Sequence, residues 1–156
     1  MPWKSSGGGI VAVHPANQFG KLNPSMPLIT GHKGVVQDLS FSPFHDNILA
    51  TASADGSLKL WMIPDGGLTE NLTKFDADLR GHTKKVQLMR WHPTANFTIG
   101  STSLDGTFKI WDIQSEKCTM SYDNIREATW SMEWNHNGSL MATIDKGKKM
   151  HIFDPR

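Results

Sequence analysis

The chain has 156 residues, of which 38% are hydrophobic and 20% are charged, a composition typical of a folded globular protein. Sixteen Lys and Arg residues nearly balance fifteen Asp and Glu residues, so the formal net charge is +1. The basic residues form only short groups, Lys84-Lys85 and the trio Lys146, Lys148 and Lys149. Nucleic-acid binding usually needs a concentrated basic face, so this charge pattern argues against it.

Sequence features of the N-terminus and the cysteine content predict a cytoplasmic protein. The first residues lack the apolar run of about 7 to 15 residues that a signal peptide needs. No stretch of about 18 apolar residues predicts a membrane span. The single cysteine, Cys118, has no partner for an internal disulfide, which fits a reducing compartment. Because the sequence places no activating base beside it, we expect Cys118 to be a small buried side chain.

Residues 1–27 predict one strand of a preceding sheet followed by a linker. The run Gly7-Gly8-Gly9 leads into the apolar residues 10–13, which have strand character. A glycine run also resembles a phosphate-binding loop, but that loop requires Ser or Thr after its Gly-Lys pair, and here Leu22 follows Gly20-Lys21. We therefore expect these glycines to form a bend or a bulge.

Residues 28–63 predict three short strands rather than helices. Alternating side chains over residues 35–41 predict the first strand, which a Ser-Pro pair ends because proline lacks a ladder donor. Residues 47–53 predict the second strand and residues 58–61 the third. Between these two strands Asp55-Gly56 supplies the positive-φ positions of a tight hairpin turn.

Residues 64–78 predict a linker, and residues 79–113 repeat the first unit. Both units place Gly-His, Asp-Gly and Trp at the same offsets, with 23 residues from His to Asp and 6 from Asp to Trp. Agreement of this kind without a gap identifies an internal repeat. With a fourth strand drawn from the linker, each repeat predicts one four-stranded antiparallel sheet.

Residues 120–154 predict a degenerate third unit. Its three predicted strands are residues 130–134, 140–144 and 150–154. If Phe153 takes the place of the repeat's Trp, the residue six positions earlier is Gly147 rather than Asp, and no Gly-His pair precedes the unit. We expect this unit to lack the polar set of the other two and to depend on packing. Most of the six tryptophans fall on predicted strands and are expected in the core, whereas Trp3 lies in an unpatterned segment and is expected to be exposed.

The pairs Gly31-His32 and Gly81-His82, together with Trp111-Asp112, resemble the WD40 family of β-propellers. In that family a His, a strand Ser or Thr, the turn Asp and the Trp form a hydrogen-bonded chain. Alternation supports this, because Thr51, Ser53 and Asp55 share one face, and a hydroxyl there can join the imidazole to the indole. The resemblance therefore implies two polar networks: His32, Ser53, Asp55 and Trp61, and His82, Ser103, Asp105 and Trp111.

Within the WD40 class, nearly the entire chain resembles the coronins. The matching segments, in family order, are SSGGG at 5–9, GHKGVVQDL at 31–39, WMIP at 61–64, GHTKKV at 81–86, WHPTA at 91–95, NGSL at 137–140 and DPR at 154–156. The resemblance implies an F-actin-binding scaffold of the actin cytoskeleton. It also implies the branch-nucleating actin-related protein complex and cofilin as further partners, and no cofactor.

The predicted fold class is all-β, with WD40-type propeller blades of four antiparallel strands. Closed propellers use about 4 to 8 blades of about 40 to 45 residues, so this chain supplies about three to three and a half. The first and last sheets of such an incomplete propeller would each expose an apolar face. We therefore expect a fragment, a partial gene product or a splice product of a longer propeller.

The candidate functional residues are lysines rather than catalytic groups. The histidines of the repeats and His92 have no partner at metal-ligand spacing, so neither a metal site nor an enzyme is predicted. Lys33, Lys84 and Lys85 lie in predicted turns and are the candidate contacts to actin, because exposed lysines are attracted to an acidic surface. The two repeats also allow an alternative function, a generic WD40 adaptor such as a ubiquitin ligase substrate receptor.

Overall fold

The computed structural model describes residues 9–14, 25–123, 125 and 127–155. These residues form thirteen strands and no helix, arranged in four antiparallel sheets that pack side by side. The predicted all-β fold, an incomplete propeller of about three to three and a half blades, is confirmed. Trp3, Gly7, Gly8 and residues 20–22 lie outside the described residues.

Sheet 1 pairs β1, Gly9–Ala12, with β2, Leu28–His32. The register shifts between Gly9 and Ile10, which agrees at Gly9 with the expected bend or bulge. A Cβ atom at Gly9 would collide with the Cβ of His32, which explains why this position needs glycine. Leu72 covers the other edge of β2, because its amide and carbonyl bond the backbone of Leu28 and Thr30.

Sheets 2 and 3 each have four strands in sequential order, and sheet 4 has three. Sheet 2 contains β3 Val36–Phe41, β4 Ile48–Ser53, β5 Ser57–Met62 and β6 Ala77–Arg80. Sheet 3 contains β7 Val86–Trp91, β8 Thr98–Ser103, β9 Phe108–Asp112 and β10 Lys117–Tyr122. Sheet 4 contains β11 Thr129–Trp134, β12 Met141–Asp145 and β13 Met150–Phe153.

Each sequence repeat is offset from the sheets by one strand, because its first strand is the last strand of the preceding sheet. The strand that carries Gly31-His32 belongs to sheet 1, and the strand before Gly81-His82 belongs to sheet 2. The unit boundaries predicted from the repeat, 28–63 and 79–113, therefore cross from one sheet into the next. Each repeat completes one sheet before it starts the following one, so the chain itself links neighbouring sheets.

Apolar side chains fill the space between neighbouring sheets. Leu58 and Leu79 of sheet 2 pack in one buried cluster with Val86 and Met89 of sheet 3. A second cluster joins sheets 1 and 2, and a third joins sheets 3 and 4. Burial of these apolar surfaces, at about 25 cal/mol per Å², is the main attraction between the sheets.

An ion-pair chain crosses the first strands of three sheets. Arg90 on β7 places Nη1 2.9 Å from the Asp38 carboxylate on β3 and Nε 2.9 Å from the Glu133 carboxylate on β11. Burial opposes the charged guanidinium, but the bonds to Glu133 and Asp38 outweigh it and raise the pKa of Arg90. The Met89 amide bonds Asp38 and the Trp91 indole bonds the Ser40 carbonyl, so contacts advance together along β3 and β7, which run in the same direction. Contacts from Gln87 to Thr129 and from Arg90 to Trp134 show the same for β7 and β11.

Because these three strands run in the same direction, the connections fall on two faces. The upper face carries residues 33–35, 54–56, 81–85, 104–107 and 146–149. The lower face carries residues 42–47, 63–70, 92–97, 113–116 and 135–140, whereas the segment around Leu72 runs along the outer edge of β2.

Candidate functional site

A polar chain joins sheet 1 to sheet 2 below the upper face. The Trp61 indole Nε1 donates to Thr51 Oγ1 at 2.9 Å, and Thr51 Oγ1 lies 2.8 Å from His32 Nε2. His32 Nδ1 lies 3.1 Å from Asp55 Oδ2. A neutral imidazole with its proton on Nδ1 satisfies each bond, because Thr51 then donates to Nε2 and Nδ1 donates to Asp55.

The same chain is repeated between sheets 2 and 3. Trp111 Nε1 donates to Ser101 Oγ at 2.8 Å, and Ser101 Oγ lies 2.8 Å from His82 Nε2. His82 Nδ1 lies 2.9 Å from Asp105 Oδ2. The residue before each histidine is glycine because an added Cβ at Gly81 would lie 3.0 Å from Trp111 Cη2.

Ser53 and Ser103 do not lie between the histidine and the tryptophan, as the sequence had suggested; Thr51 and Ser101 do. Ser53 Oγ donates to the Gly34 carbonyl and accepts the Asp55 amide, and Ser103 makes the equivalent backbone bonds. Leu49 is the register partner of Trp61, and Ser53 lies four residues, about 13 Å, farther along β4. Thr51 is only two residues away and on the same face, so it receives the indole.

The hydroxyls that fix the turn aspartates were missed in the sequence. Ser57 Oγ donates to Asp55 Oδ1 at 2.6 Å, and Thr107 Oγ1 donates to Asp105 Oδ1 at 2.7 Å. The available signal was a hydroxyl residue two positions after each turn aspartate. The amide of Lys33 completes the Asp55 site by donating to Oδ2 at 2.8 Å.

The surroundings of each polar chain lower the pKa of its histidine and of its aspartate. Burial is the largest cause of the lowered pKa of His32 and His82, and the neighbouring aspartate only partly opposes it. Burial would raise the pKa of Asp55, but hydrogen bonds from Ser57 and Lys33 bring it to about 2. The pKa of Asp105 is about 2 for the same kind of reason.

These shifts predict a protein that loses stability in acid. A histidine with a lowered folded-state pKa takes up its proton more readily when unfolded, so stability falls as the pH drops below 6.5, the ordinary value. The aspartates add a second loss between pH 3.8 and about 2. We expect the urea midpoint of the chain to fall between pH 8 and pH 5, and to fall less in His82→Gln. His136→Gln, at an exposed histidine, is the matched control, and an identical wild-type midpoint at both pH values would contradict the assignment.

The polar chains fix the turns that carry the candidate lysines. The amide of Thr83 donates to Asp105 Oδ2 at 3.0 Å, Ser103 Oγ donates to the Lys84 carbonyl, and the Leu104 amide donates to the Lys85 carbonyl. Lys33 and Lys84 are exposed on the upper face, whereas Lys85 is half-buried. Among the described residues none of these three lysines forms an ion pair.

Sheet 4 replaces the polar chain with a different pair. Phe153 is the register partner of Met141, just as Trp111 is the register partner of Ile99, so Phe153 takes the place of the tryptophan. The polar contact of this sheet is between buried Asp145 and His151 Nε2, at 3.0 Å. Within the described residues this unit therefore lacks the polar chain of the other two, as expected, and has one Asp–His contact of its own. Its strand hydroxyl, on Thr143, is buried without a hydrogen-bonding partner among the described residues.

The position of a strand overturns the expectation for Cys118 and makes Trp130 an exception among the tryptophans, most of which lie in the core as expected. Cys118 is exposed rather than buried, because β10 is the outer edge strand of sheet 3. Trp130 is 70% exposed, whereas Trp61 and Trp111 are fully buried. Trp130 lies at the register shift between Thr129 and Ser131, where the strand departs from simple alternation.

The described residues contain no group of three or more His, Cys, Asp or Glu side chains placed to hold a metal ion. Within the same part of the chain, no helix has the length and apolar character needed to cross a bilayer.

Comparison with known proteins defines the class. The sequence profile described as "WD domain, G-beta repeat" matches residues 24–62 and 73–112, which contain both polar chains. The chain belongs to this family of WD-repeat proteins. The matched ranges contain the repeated Gly-His, Asp-Gly and Trp positions, so the family match and the sheet structure identify the same two units.

The particular relatives are coronins. The chain is 50% identical to Coronin-2B of Xenopus laevis over 153 residues, covering 98% of this chain and 32% of the relative. It is 49% identical to Coronin-A of Dictyostelium discoideum over 154 residues, covering 99% of this chain and 34% of the relative. The WD40 domain from Toxoplasma gondii coronin superimposes with a TM-score of 0.92 at 34% identity, covering 99% of this chain and 39% of that one. The resemblance to coronins is thus confirmed, over about one third of the length of these sequence relatives.

Proposed function

We propose that the chain is a coronin-like scaffold segment that contacts actin filaments through the lysines of its upper face. The similarity to coronins over nearly the whole chain is the observation that supports this function most strongly. On this proposal the protein acts in the cytoplasm at the actin cytoskeleton, through protein contacts and without catalysis. The branch-nucleating actin-related protein complex and cofilin are the further partners that the proposal names.

The anchored turns support Lys33, Lys84 and Lys85 as the contact residues. Their backbones are held by the buried polar chains, so the lysines extend from a rigid support and lose little backbone entropy on binding. Lys146, Lys148 and Lys149 are exposed on the same face and add to its positive potential. A positively charged face of this kind raises the association rate with an acidic filament, and this effect decreases as the salt concentration rises.

Charge reversal at the upper face tests the proposal. We expect Lys84→Glu with Lys85→Glu to weaken co-sedimentation with F-actin about tenfold at low salt, because two attractions become repulsions. The matched control is Lys74→Glu with Lys117→Glu, a pair of exposed lysines outside the upper turns, which should bind like the parent. Equal losses in both double variants, or none in the first, would remove this surface from consideration.

A further inference from the structure

Sheets 2 and 3 separate at the lower face to leave a cleft of about 200 Å³. Its floor is apolar and includes Ile48, Leu60, Trp91 and Ile113. The Trp91 indole is fixed there because its Nε1 donates to the Ser40 carbonyl at 3.2 Å. Pockets that enclose a drug-sized ligand are larger, about 300 to 1,000 Å³, and a cavity of about 150 Å³ holds benzene. The cleft is therefore of the size for one protein side chain.

Two carboxylates stand at the mouth of this cleft. Asp76 Oδ2 accepts the Met62 amide at 2.7 Å, and Glu116 Oε2 accepts the Asp78 amide at 3.2 Å, which ties a turn of sheet 3 to sheet 2. Both acids are exposed, and neither forms an ion pair within the described part of the chain. The described residues that line the cleft include no lysine or arginine. An apolar floor with two fixed negative charges complements a side chain that is apolar along its length and positive at its end.

A planar ring stack forms another part of the wall. His45 from sheet 2 stacks on Phe97 from sheet 3, with ring centroids 5.6 Å apart and planes 29° apart. Phe97 has φ of 62°, and Glu116 at the mouth has φ of 52°. Left-handed backbone is unusual for a residue as bulky as phenylalanine, and such positions concentrate where a protein binds.

From this geometry we propose that the cleft binds a single arginine side chain presented by a basic segment of a partner protein. The aliphatic part of arginine covers the apolar floor, and its guanidinium bonds the carboxylates of Asp76 and Glu116 through paired donors. The planar cation also stacks on aromatic rings, which the compact ammonium of lysine does less well. The site lies on the face opposite Lys33 and Lys84, so this partner and a partner of the upper face can bind the same molecule together.

Short peptides on the unmodified chain test the choice of side chain. The probes are acetyl-Gly-Ser-X-Ser-Gly-amide peptides in which X is arginine, lysine or citrulline, the last having the shape of arginine without its charge. We expect the arginine peptide to shift the Trp91 indole N–H resonance saturably, and the citrulline peptide to bind about tenfold more weakly. Equal affinity for the citrulline or the lysine peptide, or no saturable shift with arginine, would overturn the proposal.

Variants then locate the binding. Glu116→Gln and Asp76→Asn each keep an oxygen for the backbone amide they accept and lose only the charge. Each should weaken the arginine peptide about tenfold, whereas Glu70→Gln, which neutralises an exposed acid outside the cleft, should leave its Kd unchanged. An unchanged Kd in both cleft variants would rule the cleft out, whatever the result with F-actin.

Discussion

Replacing Thr51 with valine is expected to lower the free energy of unfolding by about 2 to 6 kcal/mol. The substitution keeps the shape of the side chain but removes the one oxygen that lies between His32 Nε2 and Trp61 Nε1. Both nitrogens are buried, and each buried polar group left without a partner costs about 1 to 3 kcal/mol. Urea unfolding followed by tryptophan fluorescence measures the loss.

Thr143→Val is the matched control for this prediction. Thr143 has the same place on β12 that Thr51 has on β4, but its buried hydroxyl is without a partner among the described residues. Removing that hydroxyl is therefore expected to leave stability unchanged or to raise it by up to about 1 kcal/mol. If the two valine variants lost the same stability, the polar chain would contribute nothing beyond the packing of the strand.

Trp111→Ala is expected to lower the free energy of unfolding by about 3 to 5 kcal/mol, the range for removing a large buried aromatic side chain. Trp111 is fully buried, packs in the cluster between sheets 2 and 3, and also closes the second polar chain at Ser101. The loss thus combines a cavity with the loss of the indole donor to Ser101 Oγ, which keeps its bond to His82 Nε2. The measurement is again urea unfolding, here followed by circular dichroism because the substitution removes a fluorophore.

Trp130→Ala is the matched control for Trp111→Ala, because it removes the same type of side chain from an exposed position. Trp130 is 70% exposed, so its removal is expected to change the stability of the chain by no more than about 0.5 kcal/mol. A comparable loss in the two alanine variants would contradict the assignment of the core. A loss of stability in Trp111→Ala alone would show that the buried cluster between sheets 2 and 3 stabilises the packing of these sheets.

The polar chains were only partly predictable, because fixed offsets identify the repeated residues but not which hydroxyl on a strand face makes the contact. His32, Asp55 and Trp61 recur at fixed offsets, so the repeat identified them. Nothing in the sequence distinguished Thr51 from Ser53, since both lie on the same face of β4. Lys59 gave no signal either, although it is only 2% exposed, pairs with Asp78 at 2.8 Å and lies over the Phe75 ring.

The sequence by itself determined the strands, the Asp-Gly turns, the two equivalent units and the family, because alternation and turn chemistry act over a few residues and repeat with the unit. Only the tertiary structure decided which sheet each strand joins. It placed His32 on the sheet before the one that holds Thr51 and Trp61, so the polar chain joins two sheets. It also brought Phe97 and Glu116 of sheet 3 against His45 and Asp76 of sheet 2 to form the lower cleft. The reason is physical: contacts between sheets depend on burial and register across the whole assembly, and local patterns do not specify either.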